Sequence, residues 1–312
     1  MKIFFRKSIY LFTIVACYLF GIQLLLSWRI SGKSINGQDN LEQCANRNAE
    51  LIFVGNSRCI TSFMPERFQE NGIKAINLGL HGHPNLSFIE KRISDYLLRN
   101  RKKPKVICIN FDVFSVSKKE QSILMKDRFA RYAFMPKKAD LIMLDYFGFD
   151  WAERNIPAYA LLKYRKLTDA IFLKNQSQWL LIGMETESKQ ICGNEQIQSS
   201  KELKSIYRKK KDDILLMKEL RALNINYKNM GITLLAVQVP VFESIYNKRF
   251  TSTEKICQDA GVPFIDFAIK QYNNDCSLFK DLNHLNTKGA RLISDSMARY
   301  LQPKLLPKRK KS

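Results

Sequence analysis

Five short, almost wholly apolar segments recur along this chain, and stretches with helical periodicity separate them. The segments are 50–55, 73–78, 105–111, 231–239 and 263–267. Continuous apolar runs of this length, without alternation of polar residues, are typical of parallel strands that are buried on both faces. Apolar residues at a spacing of three to four follow Pro84 and recur after Thr287, which predicts helices that bury one stripe. The pattern predicts an α/β domain with a five-stranded parallel sheet.

The N-terminal segment is the second strong constraint. Residues 8–28 carry no charge and are rich in Leu, Ile, Phe and Tyr, which matches the ~20 residues that a helix needs to cross a bilayer. The flanking basic residues are Lys2, Arg6, Lys7, Arg29 and Lys33. Their excess before the span predicts that residues 1–7 stay in the cytoplasm and that the following domain is exported. The sequence therefore predicts a single-pass signal-anchor with an extracytoplasmic body.

This segment has two alternative fates, cleavage as a signal peptide and processing as a lipoprotein. A cleaved signal peptide has a shorter apolar centre and a small-residue cleavage site, and neither is clear here. The tripeptide before Cys17, Ile14-Val15-Ala16, resembles a lipoprotein cleavage box. Apolar residues continue after Cys17, whereas lipoproteins turn polar there, so lipoprotein processing stays a minor alternative.

The charge of the chain indicates a polyanionic neighbour. Over 312 residues, 51 Lys and Arg face 29 Asp and Glu, so the net charge is +22 and the isoelectric point is about 9.7. Nucleic acid, anionic lipid head groups and acidic cell-wall polymers all suit such a surface. Export argues against nucleic acid, so the predicted partners are the membrane and an envelope polymer. A basic tail at 303–312 adds to the charge, or is simply a solvated end.

The cysteines and histidines predict no metal site or cofactor. Of seven cysteines no pair has zinc-ligand spacing, and there are only three histidines. One or two disulfides are expected in an oxidising compartment among four cysteines in polar surroundings, with the pairing left open. Those four are Cys44, Cys192, Cys257 and Cys276.

The body of the chain divides into a linker at 29–49, a domain at 50–302 and a helical insertion or cap at 115–229. No convincing parallel strand lies in the insertion, and aromatic residues crowd its first half. Those aromatic residues either form a core or line a cleft for an acyl or sugar group. A basic helix is expected near 208–223.

Two motifs carry the chemistry. The first apolar segment ends in Gly55-Asn56-Ser57, a turn that delivers a serine hydroxyl at a strand end. More than two hundred residues later, Asp281 and His284 lie three apart, just before a helix. Read alone, Ser57 is a turn residue and His284 a polar cap. Together they supply a nucleophile, a base and a carboxylate that orients the base.

These motifs resemble the first and last signature blocks of the SGNH (GDSL-type) esterase and acyltransferase superfamily. The last block continues from Asp281 and His284 into Leu285-Asn286 and Gly289-Ala290. The resemblance implies a flavodoxin-like three-layer α/β/α fold and a covalent acyl-serine intermediate. It also implies that Ser57 is the nucleophile, His284 the base and Asp281 its orienting acid.

The resemblance further implies an oxyanion hole built from three donors: the Ser57 backbone, a glycine after the second strand and an asparagine after the third. Gly82 is the better glycine and Gly79 the second choice. Where the family has Gly-x-Asn-Asp, this chain has Ile109-Asn110-Phe111-Asp112. Asn110 is expected to donate, or else to point into the core and leave Asp112 at the mouth, where a carboxylate would repel an oxyanion.

An exported, anchored, basic member of this superfamily is similar to the accessory proteins of cell-envelope polymer acylation in alginate and teichoic-acid pathways. That similarity implies removal or transfer of a small acyl group, such as acetyl, on an acylated envelope polysaccharide, beside a membrane-embedded acyl donor protein. Esterase and transferase pass through the same acyl-serine and stay undivided. A catalytically degenerate domain that binds a polymer or scaffolds an acylation complex is the alternative.

Overall fold

The structure is a computed structural model, and it describes residues 1–30, 44–112, 115, 117–119, 126, 146–156, 158–164, 210–242 and 251–305. They belong to two compact units. One comprises Met1–Gln43 and Met125–Ser177, and the other comprises Cys44–Leu124 and Gln178–Ser312. The linker at 29–49 and the basic tail lie largely outside the described residues.

The described helices are, in chain order, α1 (Lys2–Ile30), α2 (Ser57–Ser62), α3 (Pro65–Glu70), α4 (Leu86–Arg99), α5 (Trp151–Asn155), α6 (Tyr159–Lys163), α7 (Lys210–Asn229), α8 (Thr251–Asp259), α9 (Lys270–Asn273) and α10 (Thr287–Leu305). The strands are β1 (Leu51–Val54), β2 (Ala75–Asn77), β3 (Val106–Asn110), β4 (Thr233–Gln238) and β5 (Phe264–Asp266). A 3-10 turn lies at Cys276–Leu278.

The second unit is built on the sheet that the sequence predicts. Its five strands are all parallel, in the order β2-β1-β3-β4-β5, with helices on both faces. This order is that of the flavodoxin-like doubly wound folds. Each strand falls inside its predicted segment, and the predicted α/β fold is confirmed.

The core explains why the strands are apolar throughout. Leu51 and Phe53 of β1 join a buried cluster with the inward face of α10, and the Phe53 ring stacks on Phe63 with centroids 4.2 Å apart. On α10 the predicted stripe is buried, at Ala290, Ile293, Met297 and Leu301. This packing fixes the start of α10, and with it the preceding loop, against the sheet.

Helix α7 lies at the end of the predicted insertion. It packs against β4 and α8 and buries Leu216, Leu220 and Tyr227, so an apolar stripe anchors this basic helix to the sheet. The bounds of the insertion stay a prediction. Most of the aromatic first half of the insertion lies outside the described residues.

In the first unit, α1 contains a span at Lys2–Leu26 that is long and apolar enough to cross a membrane, with a mean hydropathy of 2.2. This agrees with the predicted single-pass anchor, whose orientation stays a prediction. In the same unit Glu153 is buried beside Lys163, Tyr164 and Lys126. Burial alone would raise the pKa of Glu153, but these partners and the Asp150 N–H lower it to about 2.

The cysteines divide into two kinds. Cys276 is disulfide-bonded, and its partner lies outside the described residues. Cys44 and Cys257 are buried and form no disulfide, and burial raises the pKa of the Cys44 thiol to about 11. Of the four cysteines proposed for pairing, these two therefore serve as core residues. No cluster of three or more metal-ligating side chains occurs in the described part of the chain.

Candidate active site

Ser57 lies where β1 ends and α2 begins. Asn56 caps the helix, and its side-chain oxygen accepts a hydrogen bond from the Arg58 N–H at 3.0 Å. Ser57 is the first residue of α2, so the helix gives its N–H no acceptor. The sequence predicted the strand end and the exposed hydroxyl. It did not predict α2, whose six residues are too few for a periodic signal.

The position of this turn within the sheet is the one where doubly wound folds bind ligands. Strand β1 pairs with β2 on one side and β3 on the other, so the chain reverses its winding direction here. At Gly55 the backbone approaches β3 closely, because a Cβ there would stand 2.8 Å from the Asn110 Cβ. Glycine therefore lets the serine turn sit directly on the end of β3.

Three side chains from the two motifs form one chain of hydrogen bonds. The His284 Nε2 lies 2.8 Å from the Ser57 Oγ. The His284 Nδ1 lies 2.9 Å and 3.0 Å from the two carboxylate oxygens of Asp281. The structure thus brings together Ser57, His284 and Asp281, which are up to 227 residues apart in sequence.

Hydrogen bonds within the loop hold Asp281 and His284 in place. One Asp281 oxygen also accepts the N–H groups of Asn283 at 2.8 Å and His284 at 2.9 Å. Burial would raise the pKa of the Asp281 carboxyl, but the bond and charge of His284 and these two N–H groups hold the pKa below its usual value. The carboxylate therefore stays ionised and keeps the imidazole in place.

The residues after His284 fasten this loop to α10. Asn286 caps the helix through the Gly289 N–H at 3.0 Å, and its amide donates to the Ser277 carbonyl at 2.8 Å. A Cβ at Gly289 would collide with the Leu278 carbonyl oxygen, so the motif needs glycine for space.

Such a geometry can perform nucleophilic chemistry. An imidazole nitrogen at hydrogen-bond distance can take the serine proton as the oxygen attacks an ester carbonyl. A carboxylate on the other ring nitrogen selects the tautomer and stabilises the imidazolium that forms. The catalytic roles of the three residues stay a prediction.

Asn110 does not face the site in the way that the family resemblance implies. It is 2% exposed, and its amide donates to the Asn56 side-chain oxygen at 2.9 Å and to Asp112 Oδ2 at 3.0 Å. An amide has two N–H groups, so both are engaged inside the protein. In this arrangement Asn110 positions the nucleophile turn, and it has no donor left for an oxyanion.

Asp112 is not at the mouth of the site, and that expectation is corrected. Its side chain is fully buried and forms an ion pair with Arg58, with Nη1 2.8 Å from Oδ2. The same oxygen accepts the Asn56 amide at 3.2 Å. A carboxylate neutralised in this way costs less to bury, and it does not present a bare negative charge to a substrate.

The remaining predicted donors are the backbone groups of Ser57, Gly79 and Gly82. The Gly79 N–H is engaged by the Asn77 side chain at 2.9 Å, so the second-choice glycine is not a free donor. Gly82 has a φ of 98°, which favours glycine. No acceptor for the N–H groups of Ser57 and Gly82 is found among the described residues, which leaves both as candidates for an oxyanion hole.

The sequence did not indicate two residues near the site, Arg58 and His83. Arg58 is 3% exposed and donates to the carbonyls of Val239 and Pro240 as well as to Asp112. His83 is half-buried; burial lowers its pKa, and it lies within electrostatic range of His284. The position of Arg58 beside Ser57 was visible in sequence, but its partners lie 54 or more residues away.

Comparison with solved structures gives 12 matching chains, two of which are described here. No family model and no curated protein matches this chain. The psychrotrophic esterase EstA from Pseudoalteromonas sp. matches with a TM-score of 0.39 and 12% identity, covering 82% of this chain and 98% of that one. An acetyl xylan esterase, AlAXEase, matches with a TM-score of 0.37 and 13% identity, covering 80% and 99%. Because both TM-scores are below 0.5, the functional inference depends on the geometry of the site.

Proposed function

We propose that this protein is an exported, membrane-anchored serine esterase or acyltransferase that forms an acyl-serine at Ser57. The observation that supports this most is the hydrogen-bond chain from Ser57 Oγ through His284 to Asp281. His284 acts as base toward Ser57 and then as acid toward the leaving alcohol. Asp281 orients the imidazole. The N–H groups of Ser57 and Gly82 stabilise the oxyanion.

The proposed substrate is a small acyl ester, such as acetyl, on a cell-envelope glycan. This part follows from the sequence resemblance to accessory proteins of polymer acylation, as does a membrane-embedded acyl donor protein as partner. In the proposed reaction the serine oxygen bonds to the acyl carbon and the alcohol leaves with a proton from His284. Water or a sugar hydroxyl then attacks the acyl-serine and frees Ser57.

The proposed location is outside the cytoplasm, with α1 in the membrane. The apolar span at Lys2–Leu26 supports an anchor. The disulfide at Cys276 supports an oxidising compartment, because disulfides form and persist there. The basic residues before the span favour a cytoplasmic N-terminus. A reporter enzyme that is active only outside the cytoplasm, fused at the C-terminus, checks this orientation.

A second candidate is a domain that binds or scaffolds a polymer without turnover. The engagement of both Asn110 N–H groups inside the protein favours it, because an oxyanion hole with fewer donors stabilises the transition state less. The Ser57 and His284 contact favours the enzyme. The two candidates differ in whether Ser57 reacts with an electrophile.

The deciding experiment is labelling of the purified full chain with a serine-directed fluorophosphonate. Wild type is expected to react at Ser57, and Ser57→Ala is expected to lose the label. A matched control is Ser87→Ala, which changes another partly exposed serine in the first turn of a helix that follows a strand, in α4. Equal labelling of wild type and Ser57→Ala would exclude the proposed nucleophile.

Hydrolysis and transfer are then separated by the fate of a small acetyl ester. Release of acetate in buffer alone supports the esterase. Labelling at Ser57, with the ester consumed only when a polysaccharide acceptor is added and the acetyl group recovered on that acceptor, supports the transferase. Absence of labelling in a folded wild-type protein would favour the binding domain.

A further inference from the structure

Helices α5 and α6 of the first unit expose apolar side chains. The two helices contact each other, and we call them, with Ile156 and Ala158 between them, the helix pair. Leu162 is 84% exposed, Trp151 is 71% exposed and Ile156 is 42% exposed. Single exposed apolar residues are common on soluble proteins. Three of them on one short segment, one being a tryptophan, indicate a surface that meets something other than water.

The charged groups of the helix pair are turned toward each other. The Glu153 side chain is fully buried and pairs with Lys163 at 2.6 Å and with Lys126 at 3.3 Å. The Tyr164 hydroxyl donates to the same carboxylate, and Lys163 also pairs with Asp150 at 3.3 Å. A helix of a soluble protein usually places its carboxylates in water and its large apolar residues inside. Paired charges inside and apolar side chains outside are typical of protein that contacts lipid.

A hydrogen bond joins the helix pair to α1. The Ala158 N–H donates to Gln23 Oε1 at 2.8 Å. Ala158 has a φ of 63°, a left-handed value that alanine rarely adopts, so the backbone is strained at the residue that makes this bond. Helix α1 is partly buried at residues 19, 21–23 and 26, whereas residues 1–18 are exposed. The helix pair therefore lies beside the last turns of the apolar span.

The position of Gln23 gives the depth of this contact. Gln23 lies three residues before the end of the span at Leu26, which is about 5 Å along the helix axis. In a helix that crosses a bilayer, this level is near the boundary between hydrocarbon and head groups. Tryptophan is enriched at that boundary, and Trp28, just beyond the span, is 78% exposed. The helix pair, with its exposed Trp151, is bonded to α1 at the same level.

Lipid suits this surface better than a second copy of the chain does. Leu24 and Leu25, on either side of the bonded turn of α1, are 56% and 67% exposed. In the proposed topology lipid surrounds these residues. The apolar side chains of the helix pair extend the same surface sideways from α1.

We propose that the helix pair lies in the membrane interface, with Trp151, Ile156 and Leu162 inserted among the phospholipids. The recognising groups are an indole ring and two aliphatic side chains, and the ligand is the upper part of the acyl chains. This inference rests on the membrane anchor in the proposed function and not on the chemistry of Ser57. It gives Trp151, an aromatic residue of the predicted insertion, a role outside both a core and a substrate cleft.

The test measures the contact of Trp151 with lipid in the full chain, inserted in phospholipid nanodiscs. The chain has three tryptophans, so Trp28→Phe with Trp179→Phe leaves Trp151 alone. Lipids that carry bromine on the acyl chains quench a tryptophan that touches them, and acrylamide quenches from water. Quenching of Trp151 is expected to be severalfold stronger with bromine near the head group than with bromine near the chain end. Acrylamide is expected to quench Trp151 severalfold less than it quenches free tryptophan amide.

Two glutamate variants in this background form the matched comparison. Leu162→Glu is expected to weaken quenching by the brominated lipid severalfold, because a carboxylate is costly at that depth. Ile214→Glu makes the same kind of change at an aliphatic residue of α7 that is 52% exposed, and it is expected to leave the quenching unchanged. Leu162→Phe keeps the position apolar and is expected to retain the quenching. Retention in Leu162→Phe distinguishes loss of lipid contact from damage to the helix pair.

Three results would overturn the inference. Strong quenching of Trp151 by acrylamide and none by brominated lipid would show that the surface faces water. Protection of Trp151 from both quenchers would show that protein, such as a second copy of the chain, covers it. Equal quenching in Leu162→Glu and Ile214→Glu would show that Leu162 makes no lipid contact.

A variant with Trp28 alone separates this inference from the anchor. Trp151→Phe with Trp179→Phe provides it, and brominated lipid is expected to quench Trp28. If Trp28 is quenched and Trp151 is not, the inference about the helix pair is wrong and the anchor stands. If neither tryptophan is quenched by lipid, the anchor is wrong and the inference fails with it.

Discussion

The two ends of the parallel strands use charge in opposite ways. The carboxyl edge is the end of the sheet at which the strands finish and Ser57 lies, and the amino edge is the end at which the strands begin. At the carboxyl edge, Arg58 and Asp112 are almost completely buried and bound to each other. At the amino edge, Lys105 and Glu50 form an ion pair of similar length, 2.7 Å, with 54% and 30% of the side chains exposed. The distances are alike, but the surroundings differ. A buried charge that loses its partner is costly, and an exposed one is solvated by water.

The buried charges and the exposed charges therefore have different roles. Buried charges at the carboxyl edge fix the positions of the groups around Ser57. Exposed charges at the amino edge stay in contact with water. The predictions that follow compare changes at the two edges, and they run from the largest expected effect to the smallest.

The largest effect is expected at Asp281. Asp281→Asn keeps the shape of the side chain but removes the charge that orients His284, and loss of this function reduces serine reactivity by about 10⁴-fold in such triads. The measurement is the rate of fluorophosphonate labelling at Ser57. The control is Asp275→Asn, which changes a neighbouring carboxylate bonded to Ser277 at 2.6 Å. Similar losses in both variants would contradict the role of Asp281.

The next effect tests the buried pair. Asp112→Ala leaves Arg58 without its carboxylate, and removal of one member of a buried pair lowers the free energy of unfolding by about 3–5 kcal/mol. Urea denaturation measures the loss. Replacement of both residues, as Arg58→Met with Asp112→Leu, should lose less, because no charge stays buried. A single variant as stable as wild type would show that the pair carries no such penalty.

Substitution of Asn110 is expected to lower the stability of the protein with little effect on the rate of labelling at Ser57. Asn110→Ala removes two buried hydrogen bonds, which together contribute about 1–3 kcal/mol, while labelling should fall less than about tenfold. Removal of a true oxyanion donor costs about 10²–10³-fold. The control at the amino edge is Asn100→Ala, since Asn100 is also buried and bonds to Asn48 and Tyr96. A loss beyond 10²-fold at unchanged stability would restore Asn110 as a donor.

The smallest effect is expected for the exposed pair. Glu50→Ala should lower the free energy of unfolding by at most about 1 kcal/mol, because water replaces the lost partner of Lys105. The loss should shrink further at high salt. Urea denaturation at low and high ionic strength measures both. A loss as large as that of Asp112→Ala would remove the distinction between the edges.

The sequence predicted the sheet well because local residues determine it. Each strand is an apolar run bounded by turn residues, and the buried stripe of α10 was legible at Ile293, Met297 and Leu301. The strand ends were placed one or two residues too far out, since pairing stops before apolar character does. Helix α7 was assigned to an insertion because its charges dominate its composition.

For the site, the sequence indicated some residues and did not indicate the surroundings of others. Ser57, His284 and Asp281 stand out because their residue types and spacing suit one chemistry. The sequence did not indicate the environment of Asn110 and Asp112. Arg58, which follows another strand, pairs with Asp112, and Arg58 also donates to the Val239 carbonyl at the end of a third strand. Strand alternation assigns a face to a side chain, but it does not say which distant residue will meet it there.

The separation of 227 residues between Ser57 and His284 also bears on timing. During synthesis Ser57 emerges long before His284. Their contact forms only after β1 has joined the sheet and α10 has docked, so it is absent from every partly folded chain. If Ser57 is the proposed nucleophile, its reactivity reports that both ends of the unit have folded. Long-range contacts of this kind form late and slowly.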